Sequence, residues 1–134
     1  MSILVDTSVW ADFFNGFASA EALTLARCID REEDIVTCGV ALAEFFQGLR
    51  RTQDFRRLEP FFRQMRLLAP REPDTYLAAA QLFRSLRERG VTIRSMVDCL
   101  IVQLADENAC YMLAKDRDMR NILASGLVHV EAFT

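Results

Sequence analysis

Short apolar runs separated by longer helical stretches restrict this chain's fold more than any other feature. SILVD (2–6), DIVTC (34–38), RLLAP (66–70), CYMLAKD (110–116) and LVHVEAF (127–133) read as five strands. Between them lie helical patterns. A short helix capped by Thr7 or Ser8 stops near Asn15 and Gly16, and a second spans 19–33. Helices over 40–50 and 53–66 follow, the latter with Pro60 placed to kink or divide it. The stretch 73–90 opens on a proline and closes on a glycine, the asymmetry expected of a helix. Two more helices, 95–109 and 116–126, flank the fourth strand. Strands alternating with helices predict an α/β fold of three layers, with a central parallel sheet of four to five strands covered on both faces.

Nothing in the pattern divides the chain, so residues 1–134 are expected to form one domain, long enough to build a core without disulfide or metal staples. No apolar run reaches the ~20 residues of a membrane span. The N-terminus lacks the basic and apolar regions of a signal peptide, which predicts a cytoplasmic protein. The cysteines at 28, 38, 99 and 110 have no paired spacing and sit among apolar neighbours, so they read as buried free thiols. His129 is the only histidine, which argues against a histidine-based zinc site or catalytic triad.

A parallel sheet binds its ligands beyond the carboxyl ends of the strands, where the chain changes direction. Asp6 ends the first strand there, and Asp116 and Asp118 follow the fourth. Two more acids interrupt apolar helices: Glu44 in ALAEFF and Asp98 in SMVDCLIV. Each has a local explanation. Asp6 fits a turn, Asp98 a capping box with Ser95, Asp116 and Asp118 the cap of the last helix, and Glu44 an ion pair with Arg50 or another arginine. Together they suggest something else, because carboxylates gathered at one place repel unless a cation holds them. Oxygen-only donors suit Mg²⁺ or Mn²⁺. An ion of this kind activates water and offsets the charge that grows on a phosphodiester under attack. The net charge of −3 does not exclude a nucleic-acid substrate. Of the basic residues all but Lys115 are arginine, concentrated in 50–66 and 84–94, where they form either a basic rim or two solvated helix faces.

The order LVDTSVW, ALAEFF, SMVDCLIV and LAKDRDM resembles the PIN-domain ribonucleases, and at this length the VapC toxins of bacterial toxin–antitoxin pairs. The resemblance covers essentially the whole chain. It implies a PIN-like fold and matches Asp6, Glu44, Asp98 and Asp116 to the family's four acids. Asp118 stands as a neighbour that competes with Asp116 for the ligand role, and Thr7 and Ser8 match hydroxyls that help hold water or metal. Where the family usually has an aromatic residue, this chain has Met119. The implied activity is a Mg²⁺- or Mn²⁺-dependent endoribonuclease cutting a structured RNA such as tRNA or a ribosomal RNA loop. The implied partners are a VapB-like antitoxin and a second copy in a homodimer. FFRQM (61–65), with Phe45, Phe46 and Leu49, holds enough large apolar residues for such an interface or, alternatively, for a wide core.

Two other readings stand beside this one. A phosphatase would want a second aspartate where Ser8 stands, and a receiver domain would want adjacent acids after the first strand and a lysine aimed at them. A catalytically inert PIN-like binding module would keep the fold and be indifferent to losing Asp6 or Asp98.

Overall fold

The computed structural model describes residues 1–134. Four strands, β1 (Ile3–Val5), β2 (Ile35–Cys38), β3 (Arg66–Leu68) and β4 (Tyr111–Leu113), form one parallel sheet in the order β3-β2-β1-β4. Helices α1 (Thr7–Phe14) and α2 (Ala20–Asp30) connect β1 to β2, and α3 (Gly39–Gln47) and α4 (Thr52–Arg63) connect β2 to β3. The return to β4 runs through α5 (Asp74–Glu88) and α6 (Met96–Glu107), and α7 (Arg117–Leu123) follows β4.

Strand periodicity assigns the faces. Ile3 and Val5 point to one side, where Val9, Trp10, Leu25, Phe45, Leu58 and Phe62 of the first four helices bury them. Leu4 points to the other side and packs with Leu86, Ile101, Val102, Met119 and Ile122 from α5, α6 and α7. The strand order explains this division. The chain steps outward from β1 to β2 to β3, then crosses back to place β4 on the far side of β1. Parallel crossovers keep one hand, so a reversal of direction moves the connecting helices to the opposite face. The crevice between β1 and β4 is therefore the topological switch point of the sheet.

Helix boundaries lie within a few residues of those read from the sequence. Pro60 sits inside α4 without dividing it. Residues 127–133 do not form a fifth strand; only Ala132 makes a bridge, parallel to Met112. Competing hydrogen bonds explain the difference. The Leu127 amide donates to Ser125 Oγ (3.2 Å) and the His129 amide to Asp106 Oδ1 (2.9 Å), which removes two donors a ladder would use. All four cysteines are free and buried, as expected. Met119 is fully buried between the helices, so the aromatic residue's place is filled by core packing. No helix is long and apolar enough to cross a membrane.

Candidate active site

Asp6 leaves β1 at the switch point. Its amide donates to Leu113 O (2.9 Å), which holds the ends of β1 and β4 together up to the acid. The carboxylate is 6% exposed and accepts two local hydrogen bonds, from the Thr7 amide to Oδ1 (2.9 Å) and from the Ser8 hydroxyl to Oδ2 (2.8 Å). Asp6 thus caps α1, and the Ser8 hydroxyl is spent on it. Burial still raises its pKa, opposed by Ser8, with the charge of Asp116 adding to the rise.

Glu44 reaches the same place because α3 starts directly at Gly39, with no loop after β2. The Thr7 hydroxyl, donating to Ala41 O at 3.5 Å, ties the start of α1 to this helix. Glu44 makes no ion pair, so the pairing with Arg50 is not formed; Arg51, which lines a cleft with it, faces Asp54 instead (3.9 Å). The Glu44 pKa is raised by burial and then by the charges of Asp6 and Asp116.

Asp98 lies in the first turn of α6. Ser95 caps that helix through the Val97 amide (3.2 Å), and the reciprocal bond from the Asp98 carboxylate, which a capping box requires, is not made. The carboxylate instead faces other acids. Burial, followed by the charges of Asp6, Asp116, Glu44 and Asp118, pushes its pKa up to about 7.

Asp116 occupies the cap position of α7 in an extended conformation but makes no side-chain cap bond. Asp118, in the first turn of α7, is 6% exposed, and its Oδ2 accepts both the Arg94 amide and Arg94 Nε–H at 3.0 Å. Those bonds hold its pKa below the usual carboxylate range, the amide contributing most. Arg94 Nη2 also reaches Asp116 Oδ1 at 3.4 Å. Carboxylate oxygens of Asp98, Asp116 and Asp118 lie within 4.8 Å of one another.

All five acids named from the sequence therefore converge, and three of them, Asp6, Glu44 and Asp98, are harder to ionise than isolated carboxylates. A donor set made only of oxygens fits a hard divalent cation. Cys99 adds no thiolate, since burial and Asp98 push its pKa to about 11. Lys115, the residue a receiver domain would aim at the acids, pairs with Asp12 at 2.7 Å and lies over the Phe17 ring. The participant that sequence reading passed over is Arg94. It sat in an arginine-rich stretch, and nothing local separates it from its solvated neighbours.

Clefts with arginines adjoin the acids on both sides. Arg50 and Arg51 line one with Glu44 and Thr7, and Arg94 and Arg117 line the other with Asp118 and Asn121. A third, apolar groove of about 500 Å³ runs along the far side of α3, lined by Leu42, Phe46, Phe55, Phe62, Met65 and Leu67 among others.

An acidic centre at the carboxyl-end switch point of a parallel α/β/α sheet, with three carboxylates close enough to share a cation, defines the class of domain. Residues 3–123 match the PIN domain family, and the chain belongs to that family. Ribonuclease VapC11 of Mycobacterium tuberculosis is 30% identical over 117 residues, covering 87% of each chain. Among solved structures, VapBC2 from Rickettsia felis, bound to a DNA fragment from its promoter, superposes with a TM-score of 0.73 at 15% identity, covering 100% of both chains. VapC20 of Mycobacterium tuberculosis, a sarcin–ricin loop cleaving toxin, gives a TM-score of 0.63 at 22% identity, with 96% of this chain and 98% of that one covered. These two structures share the fold.

Proposed function

We propose that this protein is a divalent-metal-dependent endoribonuclease of the VapC type, a toxin that cuts a structured RNA. The observation that carries this reading is the convergence of Asp6, Glu44, Asp98 and Asp116 at the switch point, with Asp98 raised to about 7 by burial first and then by its acidic neighbours. That repulsion destabilises the metal-free centre and is relieved by a bound cation. The identity of 30% to a VapC ribonuclease over 87% of the chain supports the same chemistry.

In this reading Asp6, Asp98 and Asp116 hold Mg²⁺ or Mn²⁺, with Glu44 beside them. When bound, the ion supplies an activated water and charge neutralisation at the phosphodiester. The chain's own residues do the rest. Ser8 and the Thr7 amide fix the Asp6 carboxylate in one orientation. The amide link from Asp6 to Leu113 sets the spacing of the two strand ends. Glu44, whose pKa is raised by burial and then by Asp6 and Asp116, stands beside them as the group placed to exchange a proton. Arg50, Arg51 and Arg117, exposed in the clefts on either side, bind RNA phosphates by charge.

The groove beside α3 is the docking place for a VapB-like antitoxin. Its exposed Phe55 and Leu67 are 42% and 49% accessible and bordered by Glu59 and Arg63, an apolar strip with a charged edge. Strand β3 is also an uncovered sheet edge, and a second copy of the chain completes a homodimer. The test is induced expression of the chain without its partner, followed by mapping of RNA ends. Discrete new ends in tRNA or ribosomal RNA with the wild type, absent with Asp98→Asn, are expected; identical RNA in both cultures would refute the reading.

A further inference from the structure

Five carboxylates meet at one centre, and two of them, Asp116 and Asp118, already face a guanidinium. Asp118 is different. It is almost fully buried and already has a cation, bound through two bonds from one residue. The Arg94 guanidinium lies across the last two acids as a fork, with Nε–H on Asp118 Oδ2 (3.0 Å) and Nη2–H towards Asp116 Oδ1 (3.4 Å). Its side chain is 75% exposed, so the positive charge stands on the open side of the centre.

We propose that Arg94 occupies the place a second metal ion would take. On this basis the centre binds a single divalent ion among Asp6, Glu44, Asp98 and Asp116, and Asp118 is the anchor of Arg94 and not a metal ligand. The inference rests on the metal-dependent reading above and goes beyond it, because four or five acids alone are compatible with one ion or two.

The geometry argues for one. Asp118 Oδ2 already accepts two hydrogen bonds from Arg94, so a second ion held by Asp118 would have to compete with a permanent positive charge for that oxygen. Arginine does not deprotonate to make room. Displacing it would break a charge-assisted bond at a buried carboxylate. The Arg94 amide would still hold Asp118 Oδ2, so the anchor is doubly fixed. A lysine would keep the charge but not the fork that spans two carboxylates. Arg94 is thus a positioning residue: it neutralises the Asp116–Asp118 side and leaves the other face of Asp116 to the metal.

Calorimetric titration of EDTA-stripped protein with Mn²⁺, checked by electron paramagnetic resonance, tests this without any RNA. The wild type should bind one ion per chain. Arg94→Gln, which keeps the main-chain bond to Asp118, should bind two, and Arg94→Lys one. Asp118→Asn should leave the affinity for the first ion within about threefold, whereas Asp98→Asn should lower it at least about tenfold. Two ions on the wild type, one ion on Arg94→Gln, or an equal loss for Asp118→Asn and Asp98→Asn would each overturn the inference while leaving metal dependence standing. No binding by the wild type would overturn the metal-dependent reading itself, and this inference with it.

Discussion

Replacing Asp98 by asparagine should make the metal-free protein more stable, by an amount that depends on pH. The Asp98 carboxyl titrates near 7 in the folded chain, against an ordinary 3.8. At about 1.4 kcal/mol per tenfold change in proton affinity, that difference corresponds to about 4 kcal/mol. Screening at a half-buried carboxyl reduces it to on the order of 2–3 kcal/mol. The direction follows from linkage: a raised pKa means the folded state binds the proton more tightly than the unfolded one. Asp98 is therefore harmless at acid pH, costs stability as pH rises from about 4 to about 7, and costs a constant amount above that. The depressed pKa of Asp118 acts the other way, but it is present in both proteins and cancels in their difference. Urea and thermal unfolding in EDTA, both followed by circular dichroism, should show Asp98→Asn more stable than wild type at pH 8, the thermal scans with a gain in Tm on the order of 10 °C. The gain should shrink at pH 5.5 and vanish near pH 4. A variant less stable than wild type at pH 8, or a difference that does not change with pH, would refute the reasoning.

Other consequences follow from the same geometry. With EDTA left out, Mn²⁺ at a hundredfold excess over its dissociation constant should stabilise the wild type by about 2.7 kcal/mol in urea unfolding, and Asp98→Asn by far less. Phe62→Ala should cost about 3–5 kcal/mol, read from the urea midpoint, because Phe62 is 3% exposed and packs against Trp10, Phe45 and Phe61. Removing Arg50 and Arg51 together should raise KM for RNA and lower the slope of binding against log salt by about 0.7 per lost phosphate contact, measured by fluorescence anisotropy on a non-cleaving background. Leu67→Arg should abolish inhibition by the cognate antitoxin and leave RNA cleavage intact, because Leu67 lines the apolar groove and not the acidic centre.

Much of the fold was legible in the sequence because its two central strands, β1 and β2, are short and almost fully buried. ILV has no polar residue and IVTC only Thr37, which is itself buried, so a sheet covered on both sides was the natural reading. Residues 127–133 misled because alternating Leu, Val and Val imitate a strand, while the amides that would have paired are held by Ser125 and Asp106, neither of which the local pattern reveals. The acids were legible for an electrostatic reason. A carboxylate flanked by alanine and phenylalanine, as Glu44 is, needs a partner, and none lies on its own helix face. Division of labour between Asp116 and Asp118 was not legible, since both are polar residues beside a helix start. It is decided by Arg94, which stands more than twenty residues away in sequence and meets them only through the packing of α6 against α7. Of the phenylalanines of α3 and α4, Phe45 and Phe62 are buried in the core, Phe46 and Phe55 line the groove, and Phe62 also forms part of the groove wall.

The most direct measurement is cleavage of purified total tRNA and ribosomal RNA by the purified chain in Mg²⁺, in Mn²⁺ and in EDTA, with Asp98→Asn as the contamination control. Discrete products that require a divalent ion and disappear with the variant are expected. Products that persist in EDTA or with Asp98→Asn, or intact RNA under every condition, would contradict the assignment of Asp6, Glu44, Asp98 and Asp116 as a metal-dependent nuclease centre.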